Sequence, residues 1–293
     1  MMHSKYAIGV DVGGSHLCSS VVDLDEKKIV SSPVVTPMDH TSSKEEILAC
    51  FKENLKDTME AFGAEVQCIG LAFPGPFDYA AGIPLMEHKF AALYGMDLGE
   101  ALKDTIGNHS LEFRFVNDAS AFALGECFGG SGKGRSRVLA LTLGTGVGSG
   151  FVVDGVLDET SDRVPAGGEV WNLPFGDTIV DASFSTRRVT GSYFALTGKE
   201  VPGAKEVATA AREGELAAKQ VFADFGRDLA AFASPVLEKF GADTLILGGN
   251  ISRNYMLFSE PLLAGLPAGV EVRTSSLLDQ AAMIGAASLF RQE

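Results

Sequence analysis

The sequence is poor in positive charge. Its 293 residues include 24 lysines and arginines against 38 aspartates and glutamates, and the formal net charge is -14. Nucleic acids and anionic membrane surfaces require a positive footprint on the protein that binds them. Neither is therefore expected as a partner. A small anionic ligand is not excluded, because local backbone amides can bind one whatever the net charge.

Cysteine is also scarce, and long apolar runs are absent. Cys18, Cys50, Cys68 and Cys127 are scattered without C-x-x-C spacing, which disfavours a metal knuckle. Their apolar neighbours predict reduced thiols in the core of a cytoplasmic protein. No apolar run reaches the length of a transmembrane helix, and residues 1–5 lead into a strand without the pattern of a signal peptide.

The glycines of GVDVGGSHLCSSVVD, which starts at Gly9, do not match the common nucleotide fingerprints. Gly13 and Gly14 are adjacent and no helical pattern follows, whereas G-x-G-x-x-G and Walker A loops run from a strand into a helix. Apolar residues alternate up to Val12, and residues 17–24 are rich in β-branched and small residues. This pattern predicts a hairpin with the glycines in its turn. Taken alone, the segment favours an ordinary tight turn over a phosphate site.

The hairpin pattern occurs twice. A shift of 131 positions places Asp11 on Thr142 and Gly13 on Gly144. The second segment, ALTLGTGVGSGFVVD from Ala140, then ends in the same Val-Val-Asp without a gap. Two hairpins in one register indicate a duplicated module.

Each glycine turn is a candidate phosphate site, because free amides in a turn form an anion-binding concavity. The amides expected to be free are those of Gly13, Gly14 and Ser15 in the first turn and of Gly144, Thr145 and Gly146 in the second. Thr142 and Thr145 add hydroxyl donors. The two turns are expected to contact one polyphosphate from opposite sides.

The chain is long enough for two domains of ordinary size. In the first half a helix is predicted from about Ser43, where Ser43 and Glu46 have capping-box spacing. The buried strand CIGLAFPGP and a strand over residues 113–116 follow. In the second half a helix over residues 215–240 precedes the strand TLILGGN, and a last helix covers residues 279–290.

These elements predict an α/β fold in which a βββαβ module is duplicated and the two copies face each other across an interdomain cleft. The N-terminal domain is predicted to cover residues 1–117 and the C-terminal domain residues 118–293. The last helix, within residues 279–293, is a candidate to pack back on the N-terminal domain.

Five motifs, in order and at fitting spacings, resemble those of the ROK family of sugar kinases and repressors, within the actin/hexokinase superfamily. GVDVGGSH resembles its first phosphate motif and LTLGTGVGSG its second. GLAFPGPFD, with Gly75, resembles the sugar loop, VNDASAFALGE the catalytic segment and LILGGNIS the adenosine motif. The resemblance covers nearly the whole chain. It implies two actin-like (ribonuclease H-like) domains, a sugar substrate, ATP with Mg²⁺, and a homodimer.

Asp118 is the candidate general base. It follows a predicted strand and opens a helix, whose N-terminus favours an ionised carboxylate. Such a carboxylate can accept the proton of a sugar hydroxyl that attacks a γ-phosphate. The resemblance places the family's catalytic aspartate here, with Asn117 and Asp118 both at the sugar. The alternative is that Asp118 or Asn117 only caps the helix, which both residue types suit.

Three further residues are candidates for the nucleotide. Asp11, just before the first turn, is placed to orient a hydrated Mg²⁺, which usually binds one or two carboxylates together with phosphates and waters. A solvated aspartate near a turn is the alternative. Gly248 and Gly249 end the strand TLILG, where the lack of a side chain lets an adenine ring lie close to the backbone.

Glu169 in AGGEVWN is the second sugar candidate. The resemblance implies a sugar-binding glutamate here and a histidine three residues later, but this chain has Asn172. In many relatives that histidine ligates zinc with three cysteines, and residues 173–198 contain none. No structural zinc is therefore expected, and Asn172 either contacts the sugar or has no role. Trp171, the only tryptophan, can pack on a sugar or in the core.

A second departure follows the Pro-Gly loop, where many relatives carry a sugar-binding asparagine. Glu87, His88 and Lys89 occupy this region. A solvated loop and a ligand role both remain open for them. The two departures leave the identity of the sugar open.

The sequence therefore predicts an ATP-dependent kinase for a hexose or hexose derivative, glucose-like and phosphorylated at the 6-hydroxyl. The first alternative is a sugar-sensing regulator. Such relatives carry a helix-turn-helix ahead of the first phosphate motif, and only eight residues precede Gly9 here. The second alternative is a non-catalytic ATP-binding scaffold, against which Asp11 and Asp118 argue.

Overall fold

The computed structural model describes residues 4–291. The strands, in chain order, are β1 (Tyr6–Val12), β2 (His16–Asp23), β3 (Lys28–Ile29), β4 (Val34–Pro37), β5 (Cys68–Phe73), β6 (Phe77–Asp78), β7 (Ile83–Pro84), β8 (Glu112–Asn117), β9 (Arg137–Leu143), β10 (Val147–Val153), β11 (Val156–Leu157), β12 (Pro174–Phe175), β13 (Thr178–Ile179), β14 (Thr244–Gly248) and β15 (Glu271–Thr274). The α-helices are α1 (Lys44–Phe62), α2 (Leu98–Ile106), α3 (Asp118–Gly129), α4 (Val180–Phe184), α5 (Thr186–Thr197), α6 (Ala204–Arg212), α7 (Leu216–Phe240), α8 (Gly249–Ser252), α9 (Ser259–Gly265) and α10 (Ala281–Ala287).

The chain divides into two compact units. Unit 1 contains the described residues up to Gly130 together with those from Asp279 onward, and unit 2 runs from Ser131 to Leu278. This division differs from a boundary after residue 117, because α3 lies in unit 1, where it packs against α10.

Unit 1 is built on a sheet with the strand order β3-β2-β1-β5-β8, and β4 pairs with β2. β1 and β2 form the predicted antiparallel hairpin, whereas β1, β5 and β8 run parallel. The sheet strands carry fully buried aliphatic side chains such as Ile8, Val10 and Leu71, which pack with Phe51 and Leu55 of α1. One apolar core therefore supports the sheet edge where β1, β5 and β8 end.

The sheet of unit 2 repeats this arrangement, with the order β11-β10-β9-β14-β15. β9 and β10 are antiparallel, and β9, β14 and β15 are parallel. β9 begins and ends 131 positions after β1, as the repeat predicts. A second core of aromatic and aliphatic residues fills this unit, including Phe151, Phe222 and Phe240. The predicted α/β fold of two actin-like units with a duplicated module is confirmed.

Helix α1 shows that local sequence signals act as predicted. The Ser43 side chain accepts a hydrogen bond from the Glu46 amide, and the Glu46 carboxylate accepts one from the Ser43 amide. Gly63 ends the helix in the left-handed conformation at φ 81°, which glycine adopts without steric cost. Both ends of the helix are therefore satisfied by residues adjacent to it.

No disulfide joins the four cysteines, but the prediction that they lie in the core was wrong. Each is only partly buried. Cys18 lies in β2, Cys50 in α1, Cys68 at the start of β5 and Cys127 in α3. Among residues 4–291, no helix combines the length and the apolar character needed to cross a bilayer.

Glycines let α10 approach the rest of unit 1 closely. A side chain on Gly9 of β1 or Gly70 of β5 would collide with the main chain of α10 at Met283 or Ala286. Gly285 of α10 is packed in the same way against the main chain of α3. The missing side chains thus allow direct backbone packing, which a β-carbon would prevent.

We predict that Gly285→Ala lowers the free energy of unfolding by at least about 2 kcal/mol, because its β-carbon must displace the main chain of α3. Gly191→Ala is the matched control. Gly191 is helical and has open space around it, so alanine should raise stability by about 0.5 to 1 kcal/mol. Urea unfolding followed by circular dichroism measures both. A Gly285→Ala variant as stable as the wild type would contradict this account of the packing.

Candidate functional site

The carboxyl ends of β1, β5 and β8 lie at one edge of the unit 1 sheet. Asp11 is level with Ala72 of β5, and Phe73 is level with Asn117 of β8. Adjacent strands lie about 4.8 Å apart, so the backbones at Asp11 and Asn117 are separated by roughly 10 Å. The structure therefore brings Asp11 and Asp118 to the same sheet edge.

Asn117, not Asp118, is the N-cap of α3. Its Oδ1 accepts hydrogen bonds from the amides of Ala119, at 2.9 Å, and Ser120, at 3.2 Å. Asp118 is the first residue of the helix and is exposed, and its Oδ1 accepts from the Ala119 amide at 2.9 Å. The capping alternative therefore holds for Asn117, while the Asp118 carboxylate lies at the positive end of the helix dipole.

Tyr79 connects the Pro-Gly loop to this cap. Its hydroxyl donates to the carbonyl of Phe73 at 3.1 Å and accepts from Nδ2 of Asn117 at 3.2 Å. A β-carbon on Gly75 would lie 3.3 Å from this hydroxyl, and the Gly75–Pro76 peptide is cis. Gly75 and Asn117 are thus neighbours. Tyr79 was missed because nothing in its spacing distinguishes it from a loop residue.

Asp11 is half-buried, and the charges of Asp118 and Asp279 act on its carboxylate. Burial, together with the smaller effects of the Asp118 and Asp279 charges, raises the pKa of its carboxyl to about 6, and His16 acts in the opposite direction. Burial, Asp11 and Asp279 likewise raise the pKa of the thiol of Cys18, the cross-strand partner of Asp11. Asp279 joins this group through the chain segment that leads into α10, which the sequence pattern could not show.

The first glycine turn offers two amides rather than three. The Gly13 amide donates to the His16 carbonyl at 3.0 Å and closes the turn. The prediction of a free amide at Gly13 was therefore wrong, because the hairpin itself uses that donor. For the amides of Gly14 and Ser15 the structure shows no acceptor among residues 4–291.

The second turn repeats this pattern. The Gly144 amide donates to the Gly146 carbonyl at 3.0 Å, so the prediction of a free amide at Gly144 was also wrong. The amides of Thr145 and Gly146 have no acceptor within the described part of the chain. Oγ1 of Thr142 accepts from the Gly148 amide at 3.1 Å, and its proton is left to donate.

Neighbouring segments hold the second turn in place. The Gly144 carbonyl accepts from the amide and the hydroxyl of Thr186, at 2.7 and 3.0 Å. Oδ1 of Asp181 accepts from the Val147 amide at 2.9 Å, and the same carboxylate pairs with Arg187 at 3.2 Å. The starts of α4 and α5 therefore set the position of the turn.

Gly248 and Gly249 lie at the carboxyl end of β14, beside the end of β9. Gly249 has φ 79°, and a β-carbon there would collide with the main chain of Leu143. Glycine is thus required at position 249 because the backbone of Leu143, just before the second turn, leaves no room for a side chain. The sequence suggested a different reason, namely that a missing side chain lets an adenine ring lie close to the backbone. The two features that the sequence predicted to bind nucleotide, the turn and the glycine pair, are adjacent within unit 2.

Glu169 lies on a short segment that Ser149 fixes from both sides. Oγ of Ser149 donates to the Gly168 carbonyl at 2.6 Å and accepts from the Val170 amide at 3.1 Å. The carboxylate of Glu169 is exposed and accepts from Nε1 of Trp171 at 2.9 Å. Trp171 is 44% exposed, so the core alternative for this residue was wrong. The side chain of Asn172 is exposed as well.

The loop with Glu87, His88 and Lys89 projects into solvent. All three residues are exposed, whereas the flanking Met86 and Phe90 are fully buried. The structure thus anchors the loop at both ends, an arrangement compatible with a solvated loop.

The donor set suits Mg²⁺ bound with nucleotide. Among residues 4–291 there is no group of three or more histidine, cysteine, aspartate or glutamate side chains that could hold a metal ion. Mg²⁺ does not require one, because it keeps several waters and binds one or two carboxylates plus substrate phosphates. The carboxylate of Asp11 is the residue that fits this role.

Comparison with known proteins identifies relatives over almost the full length. The ROK family profile matches residues 7–160 and 185–293. The chain is 28% identical to a glucokinase from Thermotoga maritima, covering 97% of each chain. It is also 28% identical to an N-acetyl-D-glucosamine kinase from Haemophilus influenzae, covering 96% of this chain and 98% of that one. The unmatched segment, residues 161–184, contains Glu169, Trp171 and Asn172.

Solved structures share the fold. A ROK family glucokinase from Streptomyces griseus, in complex with glucose and AMPPNP, superposes with a TM-score of 0.74 at 23% identity, covering 97% of this chain and 98% of that one. A ROK family transcriptional regulator superposes with a TM-score of 0.79 at 20% identity, covering 97% of this chain and 77% of that one. The same fold thus occurs in kinases and in regulators.

We predict that Asp11→Asn stabilises the metal-free protein at neutral pH but not in acid. The folded state holds the Asp11 proton more tightly than the unfolded chain, so the wild type loses stability as the pH rises from about 4 through about 6. Asparagine resembles the protonated side chain. The variant should therefore be more stable by about 1 to 3 kcal/mol at pH 8 and equally stable at pH 4. Urea unfolding at both pH values tests this, and equal stabilities at pH 8 would contradict it.

Proposed function

This chain belongs to the ROK family, and we infer that it is an ATP-dependent sugar kinase. We propose that its acceptor is a hexose or a hexose derivative, phosphorylated at a glucose-like 6-hydroxyl. The hexose class is taken from the relatives, a glucokinase and an N-acetyl-D-glucosamine kinase. The homodimer and the cytoplasmic location expected from the sequence stay predictions.

One observation carries the proposal. The Asp118 carboxylate begins α3, and Asp11 lies at the same edge of the same sheet. Because Asn117 makes the capping bonds, the cap of the helix does not require Asp118. A helix N-terminus favours negative charge, so the Asp118 carboxylate is placed to accept a proton.

The proposed reaction is a direct transfer. Asp118 accepts the proton of the sugar hydroxyl as the hydroxyl oxygen attacks the γ-phosphorus of ATP, the new P–O bond forms, and ADP leaves. Asn117 fixes the first turn of α3, and hence the direction of Asp118, through its bonds to the helix and to Tyr79. The proton remains on Asp118 until the products leave.

The phosphates are assigned to the unused amides of the two turns. Gly14 and Ser15 would bind phosphate oxygens in unit 1, and Thr145 and Gly146 would do so in unit 2. Thr142 contributes a hydroxyl donor. Asp11 would hold Mg²⁺ through water, and the bound ion would neutralise charge on the transferred phosphate.

We assign Glu169 to the sugar hydroxyls, with Asn172 as a weaker contact. Glu169 is an exposed carboxylate on a segment fixed by Ser149, and a carboxylate accepts hydrogen bonds from sugar hydroxyls. In unit 1, Gly75 and Asn117 are the assigned sugar neighbours.

A sugar-sensing regulator is the second candidate function, because a regulator of the same family shares the fold. The deciding experiment is a coupled assay of ADP release over glucose, mannose, fructose, N-acetylated hexosamines and β-glucosides. Sugar-dependent ADP release with at least one of them supports the kinase. Sugar binding without ADP release would support the regulator, and ATP binding with neither would support a scaffold.

We predict that Asp118→Asn lowers kcat by at least about 100-fold, since general-base assistance contributes that much or more. Binding of ATP should be retained, because the amides of the turns are untouched. Asp57→Asn, an exposed aspartate on α1, is the control and should keep the wild-type kcat. Steady-state kinetics on the best sugar, with calorimetric ATP binding, measures this. A kcat within a few-fold of the wild type would remove Asp118 from the catalytic role.

We predict a requirement for Mg²⁺ and none for zinc. Removal of divalent ions by a general chelator should abolish ADP release, and added Mg²⁺ should restore it, because the phosphate charge must be neutralised. A chelator selective for zinc should change neither the activity nor the melting temperature, since residues 173–198 contain no cysteine. Stoichiometric zinc found by elemental analysis of the purified protein would contradict this.

A further inference from the structure

The single tryptophan of the chain is bonded to the carboxylate assigned to the sugar. Nε1 of Trp171 donates to Oε2 of Glu169 at 2.9 Å. Among residues 4–291, no other side chain donates to this carboxylate, and Oε1 has no protein partner. The family profile does not match this segment, so the role of Trp171 has to be argued from its own contacts.

The backbone on both sides of Glu169 is fixed. Ser149 bonds to the Gly168 carbonyl and to the Val170 amide, and the side chain of Val170 is fully buried. The backbone is therefore rigid at the point from which the Glu169 side chain leaves. What remains free is the side chain itself, an exposed glutamate with several rotatable bonds.

The backbone of Trp171 is fixed independently of Glu169. Its carbonyl accepts from the Asp181 amide at 2.9 Å, and Asp181 in turn accepts from the Val147 amide beside the second glycine turn. The indole N–H is thus carried by a backbone that is tied to the turn assigned to phosphate. A donor held in this way can restrict the glutamate side chain to one orientation.

We propose that Trp171 is a positioning residue for sugar binding. Its N–H holds Oε2 of Glu169, so that Oε1 is presented to a sugar hydroxyl. This rests on the proposed function, in which Glu169 binds the sugar. Restricting a flexible side chain before the ligand arrives removes part of the ordering cost of binding. Loss of the N–H should therefore weaken sugar affinity and leave the chemical step unchanged.

The first test uses the emission of Trp171, which reports on this bond without interference because the chain has one tryptophan. The wild-type protein without ATP is titrated with the best sugar of the panel. A sugar hydroxyl that donates to Glu169 changes the field at the bonded indole. We expect a saturable change in tryptophan emission, with a midpoint that matches the sugar affinity measured by calorimetry.

The second test separates the N–H from the ring. Trp171→Phe keeps an aromatic ring and removes the donor, and we expect it to raise the sugar KM by about 3- to 10-fold, with kcat and the KM for ATP within about two-fold. In the Glu169→Gln background the same substitution should have a smaller effect, because the two side chains act as one unit. Phe194→Ala, a surface aromatic of unit 2 that is 48% exposed, is the control and should keep the wild-type constants.

The outcomes distinguish this inference from the proposed function. If no sugar of the panel causes ADP release, both the proposed kinase function and the role of Trp171 are overturned. Sugar phosphorylation together with an unchanged sugar KM in Trp171→Phe, or with a flat emission titration, would overturn the role of Trp171 and leave the kinase standing. Should Trp171→Phe fail to fold, the wild-type titration alone decides.

Discussion

Main-chain packing of α10 is the constraint on which the arrangement of unit 1 depends. Gly9, Gly70 and Gly125 each leave space for the backbone of this helix. As a result, β1, β5 and α3 all pack directly against α10. Those three elements set the places of Asp11 and Asp118. The same segment leads Asp279 toward Asp11, whose pKa is raised mainly by burial and further by the two neighbouring carboxylates. A packing requirement thereby also sets the electrostatics of the sheet edge.

The parts of the fold that the sequence predicted are those with a local cause. Alternation around a glycine turn gave both hairpins, and the 131-position repeat gave their shared register. The capping box of Ser43 and Glu46 gave the start of α1. In each case the side chain that specifies the element lies within a few residues of it. The fold class could be predicted because local signals of this kind, in each of the two modules, mark the strands and helices.

What the sequence could not predict depends on partners that are distant in the chain or on backbone bonds. Tyr79 joins Phe73 to Asn117 through its hydroxyl, and no spacing marks it. The amides of Gly13 and Gly144 donate hydrogen bonds that close their own turns. A sequence motif does not show such backbone bonds. Gly249 is explained by its contact with the backbone of Leu143, a residue more than a hundred positions away in the chain.

Backbone hydrogen bonds join the two ends of the short loop between Trp171 and Asp181. The Val180 amide bonds to the Leu173 carbonyl and the Asp181 amide to the Trp171 carbonyl, while Gly176, Asp177 and Thr178 at its tip are exposed. A loop with fixed ends and a solvated tip tolerates insertion and deletion. The length and composition of this tip can therefore change without displacing Glu169, which precedes the loop. The segment is a natural place for divergence in this protein and for grafting in an engineered one.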